Sequence, residues 1–108
     1  MAKRTVVWSA TAVKQRREIL KYWTKRNGST EYAEKLIKLT ARQIKIILRH
    51  PESFKSAGYS DTRVSAMGYF SIYYKTLEDQ LIITAFWDNR QDPKKILELL
   101  TNKNTNPH

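Results

Sequence analysis

The chain has 108 residues with twenty Lys/Arg against ten Asp/Glu, a net charge of +10, and no cysteine. That length fits one domain burying roughly two thirds of its unfolded surface. The absence of cysteine excludes a disulfide framework, a thiolate metal site and a cysteine nucleophile. Residues 1–50 hold thirteen of the cations and three of the acids, whereas residues 51–108 hold seven of each. The whole excess therefore sits on the first half, where it attracts nucleic acid, acidic protein or an anionic surface without choosing among them. MAKRTVVWSA has no apolar h-region behind its basic residues, and no run reaches membrane-spanning length. A soluble cytoplasmic protein without membrane contact is expected.

Arg4–Trp8 is a short β-rich run, and Ser9 is a candidate N-cap. Ala10 to about Arg26 reads as a helix, with Ala12, Ile19, Leu20 and Trp23 near helical spacing and Lys14, Arg17, Lys21 and Lys25 forming a stripe. Asn27-Gly28 breaks it with a tight turn. A second helix is expected from Thr30 to about Arg49, where Pro51 stops it. Its apolar positions are Ala33, Leu36, Ile37, Ile44, Ile47 and Leu48. Its other face carries Lys35, Lys38, Arg42, Lys45 and Arg49. Cationic faces opposite apolar stripes are commonly the solvated sides of amphipathic helices. Nine cations with almost no balancing acid exceed what solubility needs, so these five are also a candidate electrostatic face for nucleic acid.

Glu52–Ser60 reads as a polar loop. Thr62–Met67 alternates weakly, Gly68 permits a tight turn, and Tyr69–Lys75 is a strand with Phe70, Ile72 and Tyr74 on one face. A three-residue loop Met67-Gly68-Tyr69 would set Val64 against Ile72 and Ala66 against Phe70. The same register would place Arg63 beside Tyr73 on the more polar face.

Leu81–Trp87 is nearly unbroken apolar sequence with only Thr84 polar, the signature of an internal strand covered on both sides. It changes at once to the polar loop Asp88–Asp92, and Asp92-Pro93 predicts the N-cap and first residue of a short helix over Lys94–Leu100. A polar loop closing a buried strand holds its side chains rigidly yet exposed. Arg90 is that loop's only cation, and so a candidate functional residue or a staple tying the loop to Asp88 or Asp92. The TNKNTNPH tail is polar and expected to fray. A helical hairpin covers one face of such a sheet, leaving an open face with Arg63, Ser65, Ser71 and Tyr73.

No Gly-rich phosphate loop, metal-ligand spacing or nucleophile elbow is present. His50 at a helix end suits interaction with the dipole better than base chemistry. Neither a cofactor nor a metal is expected.

The layout resembles the RelE/ParE superfamily of bacterial type II toxins over about residues 5–100. The resemblance rests on VVWSATA before the first helix, YAEKL opening the second, the R-x4-G-x-F-x-I-Y-Y pattern across Arg63–Tyr74, and IITAFWDNRQDPKKIL at the end. It implies an α+β fold: an N-terminal strand, a helical hairpin on a twisted antiparallel β-meander and a short C-terminal helix. One toxin domain over 1–100 and a polar tail over 101–108 would follow. It also implies a toxin that forms a hetero-oligomer with an acidic, partly disordered antitoxin, within a plasmid-stabilising module that arrests growth. In the RelE branch, a ribosome-dependent mRNA endonuclease, Arg63 and Arg90 match basic catalytic positions. Phe70 and Ile96, however, stand where that branch has an arginine and a terminal tyrosine. The ParE branch, inhibitors of DNA gyrase, is matched better around G-x-F-x-I-Y-Y and is favoured. A small basic nucleic-acid-binding module is the reading outside the toxins. For target or antitoxin contact the candidates are Arg63, Tyr73, Trp87, Asn89 and Arg90.

Overall fold

A computed structural model describes residues 4–91, 94–96 and 98. The order is β1 (Thr5–Trp8), α1 (Ala10–Asn27), α2 (Glu31–Arg49), β2 (Lys55–Ser56), β3 (Arg63–Met67), β4 (Phe70–Thr76) and β5 (Gln80–Asp88), followed by helical residues 94–96 and 98. The expected Asp92-Pro93 helix start and the tail 101–108 lie outside the described residues.

Both helix junctions follow from local chemistry. Ser9 Oγ accepts from the Ala12 amide at 3.1 Å, which caps α1, and donates to the Thr84 carbonyl at 3.2 Å, which ties the cap to β5. Gly28 closes α1 at φ 66°, its amide donating to Thr24 O at 2.9 Å, a left-handed position that suits glycine. Thr30 makes no side-chain cap for α2; its hydroxyl donates to Glu34 Oε2 at 2.6 Å instead.

The sheet has five strands in the order β1-β5-β4-β3-β2. The sequence suggested an antiparallel meander. Its β3-β4-β5 part is one, but β1 adds parallel to β5, with Val6 opposite Leu81 and Trp8 opposite Ile83. The helical hairpin supplies the crossover that a parallel pair requires. β5 is thus internal, as its composition predicts. The two-residue edge strand β2 fell inside the expected loop, because a polar edge strand has no apolar alternation to betray it.

The β3–β4 register differs by one residue from the expected one. Gly68, at φ 63°, and Tyr69 form a two-residue loop, so Met67 opposes Phe70, Ser65 opposes Ile72 and Arg63 opposes Tyr74. Glycine at the first central position is what such a tight hairpin asks for. A slip of one residue exchanges the faces. Ser65 and Arg63 therefore lie on the helix side, while Val64 and Ala66 lie on the other. Matching like with like failed because a buried serine is acceptable once it is hydrogen-bonded. Gln43 Nε2 of α2 donates to Ser65 Oγ at 2.7 Å.

A bulge divides β5. Tyr73 opposes Ala85 but Tyr74 opposes Ile83, so Thr84 is the extra residue. Leu81 and Ile83 before it, and Phe86 and Asp88 after it, turn toward the helices; Ala85 and Trp87 turn away. The helix-side core contains Ala12, Ile44, Ile47, Ile72, Tyr74, Leu81 and Ile83, continued by Leu36, Phe70 and Phe86 under Trp8, Leu20 and Trp23. The opposite face is not open throughout. Ile96 is buried there with Ala85 and Trp87, and Tyr59 and Tyr73 pack beside them.

Candidate functional site

The bulge sends Asp88 out at the end of β5 beside α1. Its side chain is only 11% exposed, and it is committed to Arg90 by three bonds. The Arg90 amide donates to Asp88 Oδ1 at 3.0 Å, Nε donates to the same oxygen at 2.9 Å, and Nη2 donates to Oδ2 at 2.6 Å. This is the fork-on-carboxylate geometry peculiar to arginine. The Arg90 side chain, still 47% exposed, also spans two rings, with its guanidinium carbon 4.9 Å from the Trp23 centroid and 5.5 Å from that of Tyr69. Those hydrogen bonds hold the Asp88 carboxyl below its ordinary range and raise Arg90 further. Arg90 is thus the loop staple that the sequence admitted, with Asp88 as its partner, and it keeps half its surface in solvent.

Asn89 locks the same loop from the other side. Its amide donates to Tyr69 O at 2.7 Å, and its Oδ1 accepts from Ser71 Oγ at 2.8 Å. Glu18, Ile19, Tyr22, Trp23, Asp88, Arg90 and Gln91 line an adjoining hollow of about 600 Å³. Tyr22 and Trp23 are the members that sequence reasoning missed. On α1 they look like ordinary apolar-face positions, and only the bulge brings the loop to them.

The remaining candidates lie elsewhere. Arg63 opposes Tyr74 at the far end of β4 from the Phe70–Asp88 pair, so the structure does not bring it together with Arg90. It lies beside the helix-side core rather than next to Tyr73, and its Nη1 donates to Phe54 O at 2.6 Å. Tyr73 is half-buried and Trp87 is buried in the Ile96 cluster, which leaves Trp87 little surface for a partner. Burial raises the Tyr73 hydroxyl above its ordinary value. Lys35, Lys38, Arg42, Lys45 and Arg49 are all exposed along α2. From Lys35 to Arg49 is fourteen helical steps, so the row is about 21 Å long. It starts near the Arg90 loop, since Tyr32 packs on Trp23 at 5.0 Å. Among the described residues no cluster of His, Asp or Glu could hold a metal ion, and no helix is long and apolar enough to cross a membrane.

The profile of the family described as the ParE toxin of the type II toxin-antitoxin system parDE matches residues 6–93, from β1 to the end of the Arg90 loop. The chain belongs to the ParE toxin family. A solved structure of the chromosomal ParDE toxin–antitoxin system from P. aeruginosa superposes with a TM-score of 0.67 at 14% identity, over 80% of this chain and 96% of that one. At that identity the likeness concerns the fold. A search of curated proteins finds no match. Phe70 and Ile96, the two residues that the resemblance set against RelE-type catalytic positions, are both buried apolar side chains.

Proposed function

We propose that this ParE-family toxin arrests growth by inhibiting DNA gyrase in the cytoplasm, and that an acidic, partly disordered antitoxin neutralises it by forming a hetero-oligomer. The observation that carries the reading is the pair Phe70 and Ile96. A ribonuclease of the RelE kind needs a cation and an acid–base group at those positions, and two core side chains supply neither. What remains exposed is a rigid cation. Asp88, Trp23 and Tyr69 fix the Arg90 side chain, so little further entropy is lost when its free surface meets a carboxylate or phosphate. Arg90 and Asn89 form the target-contacting end in this reading, and the half-buried Tyr73 marks the flank open to the antitoxin. The excess of cations on α1 and α2 supports an acidic partner.

Gyrase supercoiling assays with purified protein test this. The wild type is expected to inhibit, and Arg90→Ala to lose inhibition by at least about tenfold, the scale of a lost charged contact. Arg90→Lys should recover only a minor part, because it keeps charge without the fork. Thermal unfolding of each variant separates loss of contact from loss of the Asp88 staple. Unimpaired supercoiling, together with transcripts cut on ribosomes, would overturn the gyrase reading in favour of the endonuclease.

A further inference from the structure

The surface around Arg90 alternates rings and guanidinium groups in a way that neither the core nor the Asp88 staple requires. Tyr69, at the tip of the β3–β4 hairpin, is 65% exposed, and Tyr22 on α1 is 54% exposed. A tight turn needs its glycine, but nothing in its geometry calls for a large ring at the next position. Arg26 completes the group. Its guanidinium carbon lies 5.7 Å from the Trp23 centroid, and its Nη1 donates to the Tyr22 hydroxyl at 3.5 Å. Trp23 meets Tyr22 edge-on at 5.2 Å and so anchors the whole assembly to α1. Two solvent-facing rings thus flank a buttressed pair of guanidinium groups, beside the 600 Å³ hollow and at the head of the α2 cation row.

Exposed rings interleaved with arginines are the physical requirement for holding a single strand. Every base has a π-face that a ring can stack on, and the cations track the phosphates. An acidic peptide would use the cations and could pack on the rings as at any protein interface, but it does not call for rings alternating with guanidinium groups as a chain of bases and phosphates does. A duplex would use the cations but keeps its bases stacked inside. We propose that Tyr22, Tyr69, Arg26 and Arg90 form a stacking site for an unpaired base of single-stranded DNA, with the flanking phosphates led toward α2. The choice of DNA rests on the gyrase reading; the demand for an unpaired base rests on the rings alone.

Fluorescence anisotropy with a mixed-sequence 12-nucleotide DNA strand tests it, against the same strand carrying abasic positions, the duplex, and the RNA of the same sequence. The intact strand is expected to bind about tenfold more tightly than the abasic one, the effect of one or two stacked bases. Tyr69→Ala and Tyr22→Ala should shrink that gap while their unfolding midpoints stay near wild type, both rings being largely outside the core. Equal binding of intact and abasic strands by the wild-type protein would overturn the site without any variant. Tighter binding of the duplex would also overturn it, and tighter binding of RNA would overturn the assignment to DNA. A gap that persists while supercoiling is untouched leaves the stacking site standing and removes only the gyrase reading. Inhibited supercoiling with no gap does the reverse.

Discussion

The two faces of the sheet are built from the same strands, yet they are stabilised differently. On the helix side, Phe70, Ile72, Tyr74, Leu81, Ile83 and Phe86 lie under two long helices, and of the buried side-chain polar groups there Trp23 Nε1 alone lacks a partner among the described residues. Ser65 accepts from Gln43, Thr40 Oγ1 donates to Leu36 O at 2.7 Å, and the Tyr74 hydroxyl donates to Pro51 O at 2.6 Å. On the other side, Ala85 and Trp87 are covered by Ile96 and the edge of Tyr59. Trp87 Nε1 and Thr84 Oγ1 are buried there without a hydrogen-bond partner among the described residues. Burial alone therefore does not rank the faces; the satisfaction of polar groups and the thickness of the cover do.

Adjacent residues of β5 offer the strongest test of that difference. Phe86→Ala, on the helix side, should destabilise by about 3–5 kcal/mol, the usual range for a large aromatic in a core that cannot collapse. Trp87→Ala removes a larger side chain but should cost less than about 3 kcal/mol, because among the described residues its cover is Ile96, Tyr59 and Tyr73 rather than two long helices, and an unpartnered N–H disappears with it. Chemical denaturation of the two variants decides, and a greater loss for Trp87→Ala would reverse the ranking of the faces. Tyr74→Phe is the next largest. It leaves the Pro51 carbonyl without its donor at almost unchanged volume, and should lower stability by about 1–2 kcal/mol. A neutral result would show that water replaces the hydroxyl.

Much of this was legible in the sequence, for identifiable reasons. The helices could be read because apolar and charged residues recur at steps of three and four, and because Ser9, Gly28 and Pro51 punctuate them. The internal position of β5 followed from apolar residues on both its sides. The parallel pairing of β1 left no mark, since four residues of β-rich sequence fit either direction. The β3–β4 register was misjudged because the signal for it was the partner of Ser65, and Gln43 lies on another element. The candidate loop was legible up to Arg90 and its acid. Its neighbours Tyr22 and Trp23 were not, because a β-bulge at Thr84, four residues earlier in β5, decides which face Asp88 takes.

The Asp88–Arg90 pair carries its pH signature on the acid side, whereas the far-face tyrosines Tyr59 and Tyr73 are shifted upward on the alkaline side. Arg90 holds the Asp88 carboxyl below its ordinary value, so its contribution is fully present above the unfolded pKa and is lost as pH falls through the lower folded one. Stability measured from pH 7 down to about 2.5 should therefore decline through and below the ordinary carboxylate range near 4. Asp88→Asn should be less stable than wild type at neutral pH and converge on it at the acid end. Parallel curves across the whole range would mean that the pair contributes geometry and no free energy.

The smallest effect on stability, and the last contrast, belongs to α2, whose inner face builds the core while its outer face carries Lys35, Lys38, Arg42, Lys45 and Arg49. Each of these cations is exposed, so reversing Lys38, Arg42 and Lys45 to glutamate should shift stability by no more than about 0.5 kcal/mol per site. Binding to DNA is a different matter. If the row lies along the phosphates of a single strand, each lost contact removes about 0.7 from the slope of log affinity against log salt, and three removals should flatten it by about 2. Affinity at low salt would fall steeply, while affinity at high salt would change little, because counterion release supplies the difference. The measurement is a salt titration of the triple variant beside wild type, with unfolding curves run in parallel. An unchanged slope with an unchanged fold would return the row to the solvated side of an amphipathic helix and leave the ring-and-guanidinium surface at Arg90 as the place where DNA is engaged.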